Sequence, residues 1–306
     1  MVYHLERYLP IFSYRYFQTK GIDAKNNYEA FYPNSTWTGD DGFNVSNASV
    51  KEYGIIANNG YIHAVDRVVE PLETIYTELK NKEKYSTFLD LYDSFGVYVA
   101  DDELSKSYAK AYGVDTLYQY QHGELPNIAC EWPTSSYLNF TALTALSYSI
   151  FAPSNTAINS FFDSFWKIGG YSSMQEVDAL ALNYFLYQFI YGGSMLFPEE
   201  LGDDELKNLA GSSLNINPAA LNEKTMCVNG ALYGMDEIKE PSTFASVIGP
   251  LFQYKSARSF LYALLGSSLF SSYVSDLSKY IVLVPTAEQF EASGIRTVYS
   301  LSLIHI

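Results

Sequence analysis

The sequence predicts an α+β fold assembled from repeated units, and three observations carry that prediction. First, Asn59-Gly60-Tyr61-Ile62-His63-Ala64-Val65-Asp66, running on to Glu70-Pro71, returns 170 positions later as Asn229-Gly230-Ala231-Leu232-Tyr233-Gly234-Met235-Asp236, running on to Glu240-Pro241. Second, an apolar run ending in proline occurs at 149–153 and again at 280–285, with Pro153 and Pro285 132 positions apart. Third, these strand-like runs alternate with stretches whose apolar residues recur at helical spacing. The unequal offsets leave the middle unit with additional residues, which fall within 93–137.

Each element has a local cause. Asn59-Gly60 is a hairpin-turn pair. Beyond it Ile62, Ala64, Asp66 and Val68 share one face of a strand, and Tyr61, His63, Val65 and Val69 share the other. Glu70-Pro71 ends that strand, and Leu72, Ile75, Tyr76 and Leu79 open a helix. The run at 149–153 reads as a buried strand stopped by its proline. Ser154 is placed to cap a helix that buries Ala157, Ile158, Phe161, Phe162, Phe165 and Trp166, and Gly169-Gly170 stop it. The uncharged stretch 180–197 contains Asn183 and Gln188 and meets Pro198, so it reads as a buried helix breaking at Gly192-Gly193 rather than a membrane span.

At 306 residues the chain has room for about two domains. With 34 acidic against 19 basic residues and a net charge of −15, its field repels phosphate, which excludes nucleic acid and an anionic membrane surface as partners. The 28 tyrosines join an apolar face to a hydroxyl and suit either half-buried strands or surfaces that bind sugars and proteins. Cys130 and Cys227 are too sparse for a disulfide framework; two unconnected buried thiols are expected, with a single bridge left open.

Sites of chemistry are thin on the ground. His4, His63, His122 and His305 have no i, i+4 partner, so no metal site is expected, and His63 reads as a hydrogen-bonded core histidine. The acidic clusters 101–103 and 203–205 precede leucines and read as helix caps on a solvated face. There is no nucleophile elbow and no phosphate-cradling glycine loop, so neither catalytic residues nor a cofactor are expected.

The motifs resemble the fasciclin-domain family. Phe151-Ala152-Pro153-Ser154-Asn155-Thr156-Ala157 is similar to its first motif, Asn59-Gly60-Tyr61-Ile62-His63-Ala64-Val65-Asp66 to its second, and Tyr3-His4-Leu5-Glu6-Arg7 to its internal Tyr-His motif in a Bacteroidetes-type form. The middle unit departs from the pattern: Tyr233 stands for the second-motif histidine, and Tyr187-Gln188 for Tyr-His. The last unit keeps Pro285 but lacks the alanine before it.

The resemblance implies a β-sheet wedge with packed helices in tandem units. It divides the chain into the back half of one unit (1–71), a complete unit (72–241) with an insertion at 93–137, and the front half of a third (242–300). Residues 301–306 read as a sequencing-adapter scar. Half units cannot close their own cores, so apolar surface is expected at Ile55, Ile62, Val68 and 281–284, unless the two halves complement each other.

The function implied is a non-enzymatic adhesion or binding module for an extracellular protein or glycan. It is expected to be exported, periplasmic or at the outer cell surface, lipid-anchored through sequence upstream, with no oligomer. The alternative is a secreted enzyme or accessory subunit acting on polysaccharide. Candidate ligand contacts are the insertion's aromatics Tyr98, Tyr112, Tyr118, Tyr120 and Trp132, and removing 98–132 is expected to leave the domain folded.

Overall fold

The Asn-Gly repeat folds into the same hairpin twice, once open to solvent and once buried. A computed structural model describes residues 9–129, 147–203, 205–214, 216–267, 269–274 and 279–295. Along the chain run β1 (Ile11–Phe12), α1 (Tyr14–Lys20), α2 (Ala24–Phe31), β2 (Asn44–Val45), β3 (Ala48–Ala57) and β4 (Gly60–Val65). Then come α3 (Ile75–Lys80), α4 (Ser86–Asp93), β5 (Val97–Ala100), β6 (Tyr118–Gln121), β7 (Tyr148–Pro153), α5 (Asn155–Phe161) and α6 (Ala179–Tyr187). The chain continues through β8 (Ile190–Gly192), β9 (Leu221–Cys227), β10 (Gly230–Met235), α7 (Gly249–Gln253), α8 (Arg258–Leu265) and α9 (Ala287–Ala292). Helices and sheets mix in the α+β manner.

Two sheets have four strands each, in the orders β1-β2-β3-β4 and β8-β7-β10-β9, and β5 pairs with β6 in a small third sheet. In the second sheet β10 lies between β9, antiparallel across the Asn229-Gly230 turn, and β7, which runs parallel to it from Tyr148 opposite Gly230 to Pro153 opposite Met235. Every residue of β10 is buried. Leu232 and Ile150 pair on one face, and on the other Tyr233 stacks on Phe151 with ring centroids 5.1 Å apart. Both faces are covered, which is why this strand is apolar throughout rather than alternating.

The strand–proline–helix element behaves as its sequence indicates. Ser154 caps α5, its hydroxyl accepting from the Ala157 amide, and Ala157, Ile158, Phe161, Phe165 and Trp166 are buried. Phe162 is only partly buried, because the helix widens into a π turn over Phe162–Trp166.

Contacts cross both expected unit boundaries. Phe12, Tyr16, Phe17 and Phe31 surround the ring of Phe197, and Phe31 also reaches Tyr233. Lys20 pairs with Glu200 at 2.8 Å, and the Asn27 side-chain amide donates to Glu199 at 2.7 Å. On the far side Phe244 packs on Phe161, Phe165 and Phe185, and the Trp166 indole donates to the Phe252 carbonyl at 3.0 Å.

Several expectations need correction. The buried helix at 180–197 ends at Tyr187, before the glycine pair, because Ile190–Gly192 leaves it to pair with β7 as an edge strand. His63 lies in β4 as expected but is exposed; its Nδ1 accepts from the Gly54 amide at 3.2 Å, and its ring meets Phe43 edge-on. No described element covers that face of the hairpin, so the core role does not arise. Asp203 accepts from the Glu205 amide in a loop rather than capping a helix. The run 280–285 forms no strand and has no partner among the described residues, and Ile281 and Leu283 are 92% and 84% exposed. Apolar surface also lies open at Ile55, Ile62 and Val68.

Candidate functional site

The segment expected to be an insertion begins where α4 ends, and Asp93 at that end ties it down. Its Oδ1 accepts from the Tyr120 hydroxyl at 2.9 Å and lies 3.1 Å from His122 Nε2, while its Oδ2 accepts from the Tyr76 hydroxyl at 3.1 Å. Tyr92 and Tyr120 sit against the His122 ring at 4.8 Å each, with Tyr76 at 5.9 Å. His122 is wholly buried. Burial depresses its pKa below the ordinary value, with the Asp93 carboxylate pulling the other way. The same carboxylate adds to burial in pushing the Tyr120 hydroxyl up to about 12. The cluster joins α3, α4 and the insertion.

From this anchor β5 and β6 project as a ribbon pairing Val97 with Gln121, Tyr98 with Tyr120, Val99 with Gln119 and Ala100 with Tyr118. Tyr98, Tyr118 and Tyr120 therefore share one face. The connection between the strands is braced. Asp101 caps the turn Asp102–Leu104 and takes a 2.8 Å hydrogen bond from Gln119, and Ser105 Oγ accepts from the Leu117 amide at 2.8 Å. Helical backbone continues to Lys110–Tyr112 and stops at Gly113 in the left-handed conformation (φ 70°).

This bracing shapes an open groove of about 570 Å³ lined by Tyr98, Tyr112, Val114, Thr116, Leu117 and Tyr118. Tyr98, Tyr118 and Tyr112 are 75%, 59% and 48% exposed. Tyr120 is different. Its ring backs Tyr98 at 5.0 Å, but its hydroxyl belongs to Asp93, so it anchors the ribbon instead of lining the groove. Trp132 lies outside the described residues, as do Tyr3, His4 and Cys130. Cys227 is buried at the end of β9, where burial pushes its thiol pKa well up.

The expected insertion also contributes to the core. Leu125 and Ile128 are core residues, and the Ile128 carbonyl accepts from the Tyr76 amide and from Asn229 Nδ2. Removing 98–132 would strip this lock and the His122 anchor together, so that deletion does not isolate the groove.

The remaining motif residues serve the scaffold. Asn229 Oδ1 accepts from the Ile75 amide at the start of α3. Asn155 clamps the region before α4, accepting from the Thr87 amide and donating to the Glu83 carbonyl. Asp236 pairs with Lys84, and that hydrogen bond holds its carboxyl below the usual range. Asp66 accepts from the Ser49 amide across the open hairpin, in which Asn59 sits at the turn and Gly60 opens β4. Phe151, Ala152 and Pro153 lie in β7, Tyr187 ends α6, and Pro285 precedes α9.

Sequence reasoning missed the Asp93–His122 cluster because its members are separated along the chain and follow no motif. The one available signal was a histidine inside a tyrosine-rich segment. No family model and no curated protein matches the chain. Among the described residues, no helix is long and apolar enough to cross a membrane, and no group of three or more His, Cys, Asp or Glu residues could hold a metal ion.

Proposed function

We propose that the chain is a non-enzymatic, fasciclin-like binding module that recognises a glycan through the tyrosine groove of its insertion. The observation that carries this reading is the convergence of Tyr98, Tyr112 and Tyr118 on one open, mostly apolar groove. A tyrosine offers a flat apolar face for the C–H side of a sugar ring and a hydroxyl at its edge for the sugar's own hydroxyls. The brace at Asp101 and Ser105 holds the groove wall in place before ligand arrives, which lowers the entropic cost of binding. The wedge-like scaffold in tandem units is the presenting body, and an exported location at the cell surface or in the periplasm follows from the same reading.

The test is a screen of the intact chain on a glycan array, with hits quantified by calorimetry. Binding that is lost in Tyr98→Ala and Tyr118→Ala while thermal unfolding stays unchanged supports the reading. Binding that survives both substitutions places the contact elsewhere.

A further inference from the structure

The two copies of the hairpin differ along the outer edge of their second strand, and the difference points to a partner. In the buried copy, β10 carries a parallel neighbour, β7, along its outer edge. A Cβ on Gly230 would sit 1.9 Å from the Tyr148 carbonyl oxygen, so this glycine is needed because a strand passes beside it. In the open copy Gly60 occupies the same position, and a Cβ there would meet nothing within 4 Å. Among the described residues the backbone of β4 pairs with β3 on one side only, and every residue of β4 is exposed. Such an edge is a template for another strand.

The chain also carries a segment whose sequence pattern matches β7. Residues 280–285 repeat the apolar-run-to-proline pattern of β7. Thr286 caps α9 through a capping box, as Ser154 caps α5. The run has no regular secondary structure, pairs with no described strand, and leaves Ile281, Leu283 and Val284 exposed. Its helix is held against α8 by Phe290 on Phe260, so the run is not delivered to β4 of its own chain.

We propose that residues 280–285 of one copy add in parallel to the free edge of β4 in a second copy of this chain. The β7–β10 register gives the alignment: Tyr280 opposite Gly60, Ile281 opposite Tyr61, Val282 opposite Ile62, Leu283 opposite His63, Val284 opposite Ala64 and Pro285 opposite Val65. Main-chain hydrogen bonds supply the attachment, and the exposed side chains of both partners lose contact with water. Reciprocal exchange closes a dimer, and one-way exchange extends a chain of copies.

The test is sedimentation velocity of the full chain over a range of concentrations, with two variants chosen to leave the monomer intact. Gly60→Ala places a methyl in open space in the monomer but against the incoming backbone in the complex. Val282→Pro removes a backbone donor from a segment that is unpaired in the monomer. The expected result is concentration-dependent association of the unaltered chain, lost in both variants at unchanged circular dichroism and melting temperature. A chain that stays monomeric throughout, or association that persists in both variants, overturns the proposal. Neither outcome depends on glycan binding, so this inference and the groove stand or fall separately.

Discussion

Gly230 lies so close to Tyr148 that a Cβ on Gly230 would sit 1.9 Å from the Tyr148 carbonyl oxygen, whereas the equivalent Gly60 faces open space. One repeated glycine is thus structural in one copy and idle in the other, because among the described residues only the first has a parallel strand beside it. Gly230 also has φ of +142°, a conformation that side chains resist. Gly230→Ala should therefore cost about 3 kcal/mol through overpacking and backbone strain, and Gly60→Ala should stay within about 0.5 kcal/mol in the monomer. Urea unfolding of the two variants at a concentration where the chain is monomeric measures both. Equal costs would contradict the asymmetry.

Asp93 takes hydrogen bonds from two tyrosine hydroxyls and faces the buried His122 ring. Asp93→Ala would leave the buried His122 Nε2 without its partner and release the partly buried Tyr76 and Tyr120 hydroxyls, and a buried polar group without a partner is costly. A loss of about 3 kcal/mol in chemical unfolding is expected. The loss should be accompanied by faster proteolysis within 97–121, since the ribbon would no longer be tied to α3 and α4. A variant as stable as the parent would show that the cluster does not anchor the insertion.

The sign of the pH effect follows from His122. Burial depresses its folded-state pKa, so the unfolded chain takes up a proton at higher pH than the folded one. The stability this neutral ring contributes is fully present above the ordinary histidine value of 6.5 and is lost as pH falls through the lower folded value. Melting temperature should drop as pH falls from 6.5 towards the lower folded value, and His122→Gln should flatten the drop. A profile of the variant parallel to that of the parent would assign the pH dependence to other groups.

Much of the scaffold was legible in the sequence because it rests on local chemistry. Asn229-Gly230 fixes a hairpin, and Ser154 after Pro153 fixes a helix start, whatever surrounds them. Tyr98, Tyr112 and Tyr118 were legible as candidates because they crowd an insertion, but their meeting in one groove depends on the Asp101 and Ser105 braces. What escaped was set by distant neighbours. His63 has the alternation of a half-buried strand, yet its exposure depends on whether another strand or helix lies over it. Tyr120 resembles its neighbours in sequence and differs from them only because Asp93 waits beneath it. The early end of α6 was likewise decided by β7, which draws Ile190 into a sheet.

The groove formed by Tyr98, Tyr112 and Tyr118 is the proposed binding surface. The most direct measurement is calorimetric titration of the strongest array glycan into the parent chain and into the double variant Tyr98→Ala/Tyr118→Ala. Circular dichroism and melting serve as the control for folding. Aromatic anchors at the centre of a contact typically cost 2 kcal/mol or more when truncated, and two together should reduce affinity by roughly a hundredfold or beyond. That loss is expected with the fold unchanged, because both rings are largely exposed and neither anchors the ribbon. Undiminished affinity in a folded double variant would contradict it.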